Sequence, residues 1–382
     1  MSVILLKTTT LLTSPLLLGF FAASTGLCLN VTIGEDSSTH EVTGCVDITV
    51  QGSYRLFTNI TGLQDGKDYC IGITASNVVV DGAGYSLTGA GVGIGIYVID
   101  GFNITLMNLY ISSYHCGIDL LGPVYASIFN NTLTGINGEG LRLLDSNYNK
   151  LFYNTFMNIS GEAVSLVDSD NNTVNHNLIA YSKTGIYLDS SDNNKILNDS
   201  VFNASEQSVY LWGSRDNLIY NNLFNSTTNW AISVTYYNDW NASLQPGVNI
   251  IGGSLMGGNA WFNPDGFGFS ETCGDGDRDG VCDTPFVLEE NNIDYLPLKY
   301  VETLLTTTLT TPTPTLITFT TTTLETTTPY STTTLHETAT SPLPLSGEGG
   351  SDRSVIIVVA VATASTALII LYASRKRRSS GH

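Results

Sequence analysis

The amino-acid sequence predicts an all-β protein: a right-handed parallel β-helix, followed by a disordered threonine-rich stalk and one C-terminal transmembrane helix. Three observations lead there. A small residue followed by Ile, Val or Leu recurs along the chain at steps of 22 or 23 residues. The segments between recurrences are turns rich in Asn, Asp, Ser and Gly, with no 3.6-residue period to support helices. After the repeats come a Thr/Pro tract and a long uncharged apolar run ending in basic residues.

The repeat units begin at Gly95, Gly117, Gly140, Ala163, Gly185, Ser208 and Ala231. One residue later stand Ile96, Ile118, Leu141, Val164, Ile186, Val209 and Ile232; three residues later stand Val98, Leu120, Leu143, Leu166, Leu188, Leu211 and Val234. Apolar residues at alternate positions make a strand with one face inward. A second strand carries the column Ile128, Leu151, Val174, Ile196 and Ile219. Three residues beyond it run Asn131, Asn154, Asn177, Asp199 and Asn222, with Asn108 opening the series. Columns at this period mean coils stacked at ~4.8 Å, each hydrogen-bonded to the next and none stable alone. The stacked amides are expected to satisfy one another at a coil corner, which is a structural task. Leucine-rich repeats share the period, but they need leucine-dominated strands and a helical or tight return. Here Ile and Val dominate and the returns are polar turns.

The remaining segments follow in order. Residues 1–26 have a lysine, an apolar run and then small residues, the shape of a secretory signal peptide. Cys28 invites a lipoprotein reading, against which Leu27 stands where a small residue should precede a lipidated cysteine. Residues 27–94 are expected to hold an N-terminal cap and the first coils, 95–260 the regular repeats, and 261–300 a closing segment. Residues 301–350 cannot bury a core and read as an extended, O-glycosylated spacer, although isolated Leu, Ile and Phe interrupt the pattern. Residues 355–373 are long enough to span ~30 Å of hydrocarbon as a helix. The basic tail at 374–382, with Arg375-Lys376-Arg377-Arg378, marks the cytoplasmic side, so the repeats are expected outside the cell.

Composition agrees with export and narrows the partners. The formal net charge is -19 with only 13% charged residues, so no basic patch exists to neutralise nucleic acid and cations are the natural small partners. Asn-X-Ser/Thr sequons at Asn30, Asn59, Asn103, Asn130, Asn158, Asn171, Asn198, Asn203, Asn225 and Asn241 predict a glycoprotein. Six cysteines suit an oxidising compartment and allow fifteen pairings. Cys45–Cys70 and Cys273–Cys282 are the expected disulfides, which leaves Cys28 and Cys116.

The stretches NVVVDGAGYSLTGAG and GIYVIDGFNITLMNLYI, and the closing GNAWFNPDGFGF and DGDRDGVCDTPFVLEENNIDYLPL, resemble NosD-type β-helix proteins, the periplasmic copper-binding family. The resemblance covers roughly residues 45–298. It implies the β-helix fold, with carbohydrate-binding and sugar-hydrolase β-helices as wider relatives. The stalk and anchor resemble those of archaeal surface proteins.

Four groups of residues are candidates for chemistry. In CGDGDRDGVCD, Asp275, Asp277, Asp279 and Asp283 take positions 1, 3, 5 and 9 of a calcium loop, with Gly280 at the sharp turn and the Val281 carbonyl at 7. Position 12, a bidentate glutamate in an EF-hand, is Phe286, so the loop is the shorter D-x-D-x-D-G-x-x-D kind. Calcium is expected there as a structural fastener, because Arg278 is the only basic residue close by. On the outer face, two residues after each repeat start, the column reads Tyr97, Asp119, Arg142, Ser165, Tyr187, Tyr210 and Ser233, and two further on stand Asp189 and Trp212. Tyr187, Tyr210 and Trp212 beside Asp189 make a surface on which sugar rings could stack. The alternative is that tyrosine simply suits half-exposed strands. Asp145 and Asp168, one coil apart, are weak candidates for a glycosidase pair, and Asp119 is expected to pair with Arg142. Copper is not expected: His40, His115, His176, His336 and His382 are scattered, and there is no H-x-H or M-x-x-M.

The sequence therefore reads as a membrane-anchored surface glycoprotein that binds glycan or polysaccharide or plays a structural surface role. A polysaccharide hydrolase or lyase is the alternative, and NosD-like metal handling a second. Binding is favoured over enzyme activity.

Overall fold

In the computed structural model, which describes residues 39–122 and 125–300 and the backbone strands Ile356–Thr363 and Thr366–Ala373, each repeat closes into one three-sided coil. Val78–Asp81, Ser86–Thr88 and Ile94–Ile99 form the three sides of one such coil. Ile104–Met107, Tyr110–Ser112 and Cys116–Leu121 lie on it in parallel register, with Val80 against Leu106, Leu87 against Ile111 and Ile96 against Ile118. The first face is a nine-stranded sheet; the second and third belong to one sixteen-stranded sheet. They merge because Thr155–Val167 and Leu178–Asp189 run through the corner unbroken. The result is a parallel β-helix of about eight turns.

The core is the stack of inward columns. Leu106, Ile128, Leu151, Val174, Ile196 and Ile219 line the first face, and all are fully buried. Ile111, Leu133, Phe156, Ile179, Val201 and Phe224 line the second face in the same way. The small residues at the repeat starts have a steric cause. A Cβ on Gly117 or Gly140 would lie 2.5 Å from the carbonyl oxygen of the next coil. Coils can stack at backbone hydrogen-bond distance there only if the side chain is minimal.

Corners are held by side chains that replace missing ladder partners. Asn131, Asn154, Asn177, Asp199 and Asn222 are buried, and each carboxamide or carboxylate oxygen accepts the backbone N–H of the residue one coil earlier. Asn259 extends the ladder by accepting from Asn222. Asn108 does not begin it. That place is taken by Leu109, whose N–H donates to Asn131, while Asn108 stands one residue earlier with φ 56° and accepts from Asn130 outside the core. A second buried ladder, Asn149, Asn172, Asn194, Asn217 and Asn238, and a serine ladder, Ser146, Ser169, Ser191 and Ser214, do the same work at another corner.

The last coil departs from the expected register. Val209 pairs with Trp230 and Leu211 with Ile232, so Ala231, not Ser233, continues the Tyr210 column and the step shortens to 21 residues. At the other end, Val46–Ile48 pairs with Tyr69–Ile73, and the Cys45–Cys70 disulfide clamps these first coils together. Beyond the repeats, Ala260–Phe262 completes the second face, and the core end is plugged by aromatic rings. Trp261 lies 5.0 Å from Phe224, 5.8 Å from Trp240 and 4.9 Å from Phe286. Asn292 accepts the Trp240 indole N–H and Asp294 that of Trp261, so neither buried ring leaves its donor unpaired.

The signal peptide, the stalk and the basic tail expected from the sequence lie outside the described residues. Of the run at 355–373 only the backbone is described, as the antiparallel strands Ile356–Thr363 and Thr366–Ala373. Among the described residues no helix is long and apolar enough to cross a membrane.

Candidate functional site

The third face presents the outer columns anticipated from the repeat. Tyr187 pairs with Tyr210 and Asp189 with Trp212 in direct register on adjacent coils. The Tyr187 and Tyr210 rings are 5.3 Å apart at 48°, and Tyr210 meets Trp212 edge-on at 6.3 Å. Trp212 is 47% exposed, so its ring is open to solvent beside the two tyrosines. The Tyr187 hydroxyl donates to Asp189 at 3.2 Å, and the Ser190 hydroxyl donates to its other oxygen at 3.0 Å. Tyr210 and Ser233 share a hydrogen bond of 3.1 Å. Partial burial, then the nearby Asp189 carboxylate, push the Tyr187 phenol up to about 12, so it stays a donor across the physiological range. The arrangement combines an open aromatic surface with an oriented acceptor.

The same stripe runs back along the solenoid through Ser165 to Arg142, Asp119 and Tyr97. Asp119 is buried at 2% exposure and holds Arg142 in a fork, with Nε donating to Oδ1 at 3.0 Å and Nη2 to Oδ2 at 2.6 Å. The expected Asp119–Arg142 pairing is therefore present, and it occupies both carboxylate oxygens. Beyond Tyr97, Tyr69 lies 5.8 Å away and donates to Asp47, while Lys67 donates to Tyr69. Sequence reasoning missed this far end, as well as the half-buried outer column Ile99, Leu121, Leu144 and Val167 that leads to Asp189 and Trp212. Extending the two-residue offset back along the repeats would have found the column. Tyr69 sits in an irregular coil that precedes the first regular repeat at Gly95.

Asp145 and Asp168 do share a corner column, and a backbone reason accounts for it. Both have positive φ, 51° and 47°, at the place where Gly122 and Gly213 stand in other coils. Aspartate tolerates that left-handed conformation better than most residues. Both are exposed.

The acidic loop brings Asp275, Asp277 and Asp279 together, with carboxylate oxygens all within 4.8 Å of one another. Backbone N–H groups of Asp279 and Gly280 donate into Asp275, and that of Val281 into Asp279, so the loop curls around its own carboxylates. Gly280 turns at φ 89°. Asp283, another expected ligand, is not part of this carboxylate group. One Asp283 oxygen accepts the Gly276 N–H, and Val281 bridges to Leu298. The Cys273–Cys282 disulfide closes the loop as expected, and Cys116 is a buried free thiol. Hard oxygens in this number fit calcium or a similar cation.

A stacked parallel solenoid with polar corner ladders and a decorated outer face defines a β-helix scaffold. The chain belongs to the family described as periplasmic copper-binding protein (NosD), whose profile matches residues 58–266. Among curated proteins none matches. Solved structures similar to it include the Dettilon tailspike protein, at 14% identity and TM-score 0.42 over 59% of this chain and 55% of that one. The periplasmic alginate epimerase AlgG is 14% identical at TM-score 0.38 over 50% and 57%, and a GH87 alpha-1,3-glucanase catalytic domain 11% at 0.30 over 59% and 58%. The chain thus spans little more than half the length of each.

The residues present do not fit the copper of the family's description. His40 stacks on Tyr54 at 4.8 Å and His176 lies 4.9 Å from Tyr153, several coils apart along the solenoid. His115 is exposed and its neighbour Cys116 is turned into a buried site where its thiol is pushed well up by desolvation. Among the described residues, the ligand types that do converge are carboxylates, which are too hard a set for Cu(I).

Proposed function

We propose that this protein binds glycan or polysaccharide on the third face of its β-helix, at the cell surface. The observation that supports the reading best is the open Tyr187–Tyr210–Trp212 surface with Asp189 oriented beside it. Aromatic faces stack on the C–H faces of sugar rings, and an oriented carboxylate accepts hydroxyl protons. A structural surface role, the other sequence-based expectation, would not need Trp212 exposed. The hydrolase or lyase reading has less support, because Asp119 is locked by Arg142 and Asp145 and Asp168 are explained by their corner. The test is retention of the full chain on a panel of immobilised polysaccharides, with product analysis for cleavage. Retention without cleavage, lowered at least about tenfold by Trp212→Ala (~1.4 kcal/mol), is expected. Cleavage would make the protein an enzyme instead.

Two further parts of the reading rest on composition and loop chemistry. Calcium at Asp275, Asp277 and Asp279 would act as a clasp on the closing segment, which carries the aromatic plug. The apolar run at 355–373 with its basic tail would hold the chain in the membrane with the solenoid outside. Extraction of the native protein by detergent but not by alkaline carbonate would agree with an anchor; release by carbonate alone would exclude one.

A further inference from the structure

The charge distribution on the third face says which glycans it can accept, a point that rests on the glycan reading above. Between residues 39 and 300 the chain has nine Lys or Arg against twenty-seven Asp or Glu. The cations are largely spoken for. Arg142 is forked onto Asp119 and also lies 4.0 Å from Glu139, Lys183 is paired with Glu206 at 3.7 Å, and Arg215 with Asp192 at 2.9 Å. At the near end of the stripe Lys67 faces Asp47 at 3.6 Å. Recognition of a uronate or sulfate needs an uncommitted guanidinium or ammonium, or backbone N–H groups aimed outward. The stripe offers neither, because its backbone donors are used between coils.

The carboxylates, by contrast, face the aromatic surface. Asp189 touches Tyr187, and Glu162, on the adjacent strand of the preceding coil opposite Thr184, adds its charge near the Tyr187 phenol. At the same end as Lys67, the Tyr97 phenol is raised chiefly by burial and then by Asp119, with Arg142 partly offsetting it. A polymer with one negative charge per sugar would bring successive charges past Glu162 and Asp189 on neighbouring coils, which rise by ~4.8 Å each. Sugar hydroxyls meet no such penalty: they can donate to Asp189 and to the phenol oxygens of Tyr187 and Tyr210, which themselves hydrogen-bond Asp189 and Ser233.

We propose that the third-face stripe recognises uncharged polysaccharide, laid along the solenoid axis, and excludes polyanionic glycans by electrostatic repulsion from Asp189 and Glu162. The exclusion lies in fixed carboxylates, so it is lifted by salt and by neutral substitutions, whereas stacking of a neutral chain responds to neither.

The experiment measures binding of the full chain in detergent micelles to a neutral glucan, a mannan and a xylan, and to polygalacturonate and dextran sulfate. Salt runs from about 20 to about 500 mM, over which the Debye length shrinks from roughly 20 to 4 Å. Neutral polymers are expected to bind with less than about a twofold change across the range. Polyanions are expected to bind at least about tenfold more weakly at low salt, and Glu162→Gln to narrow that gap without changing neutral binding. Polygalacturonate bound as tightly as the neutral polymers, and lost with Trp212→Ala, would overturn the exclusion while leaving the glycan surface in place. Binding of neutral polymer that ignores Trp212→Ala would overturn the stripe as the site. Retention of no polymer at all would remove the glycan reading, and this inference with it.

Discussion

Asp199 occupies a position that asparagine fills in every neighbouring coil of its ladder. One of its oxygens accepts from the Asn177 backbone and side chain, while the other is buried with no hydrogen-bond partner. In Asn177 and Asn222 the corresponding group is an NH₂ that donates to a backbone carbonyl. A protonated Asp199 can imitate that donor; an ionised one faces an oxygen. Desolvation accordingly raises its pKa to about 7. The folded state then holds a proton that the unfolded chain gives up near 4, so stability falls as pH rises between about 4 and 7 and is level above. Asp199→Asn is expected to raise the melting temperature at pH 8 and to change it little at pH 4. Thermal unfolding at both values checks this; an equal shift at both would mean that packing, not charge, is responsible. Asp294, raised to about 7 for the same reason, should retain part of the slope. Asn154→Ala tests the ladder itself. It removes the acceptor of the Asn131 N–H and the donor to Ile128, and leaving buried groups unsatisfied costs about 1–3 kcal/mol each. Urea unfolding of this variant should show the loss with little change in secondary structure. One asparagine column was legible from spacing, but the second was not. In pairs such as Asn171-Asn172 and Asn193-Asn194 the first residue takes positive φ and the second turns inward, and nothing in the letters distinguishes them.

At the scale of the element, the repeat start is the tightest point. Gly140→Val would drive methyl groups into the Ala163 carbonyl and the Phe156 ring. Overpacking of this kind, against backbone that also carries the interstrand ladder, is expected to cost about 3 kcal/mol or more. Loss of cooperative unfolding near the wild-type temperature would confirm it, whereas an unchanged midpoint would mean that the coils can part. The shortened last coil escaped the sequence pattern for a clear reason. Trp230 and Ile232 alternate as well as Ile232 and Val234, so periodicity admits both registers. Pairing with Val209 and Leu211 decides for the first, where no further coil on the third face limits the size of the Trp230 ring.

The whole molecule depends on its ends, because interior coils are stabilised by neighbours on both sides and terminal ones are not. The disulfide Cys45–Cys70 secures one end, and the plug of Trp240, Trp261 and Phe286 the other. If a cation sits on Asp275, Asp277 and Asp279, chelation should lower the melting temperature of the closing segment. At calcium about a hundredfold above its dissociation constant, binding contributes about 2.7 kcal/mol. Scanning calorimetry with calcium and with chelator measures the difference, and Asp277→Asn should abolish it. Equal melting in both conditions would leave an acidic turn closed by its disulfide.

The sequence by itself determined the solenoid, because inward columns at a fixed period can bury their apolar faces only by stacking. It also placed both disulfides, the outer aromatic columns and the acidic loop, since each depends on local spacing. Tertiary structure alone decided the rest. The Asp119–Arg142 pair followed from the repeat but the burial of Asp119 did not, and Asp145 and Asp168 take their corner through a backbone angle that no residue type specifies uniquely. Which aromatic rings stay open likewise depends on what the neighbouring coil covers: Trp212 is left exposed, whereas Trp240 and Trp261 are buried under the closing segment.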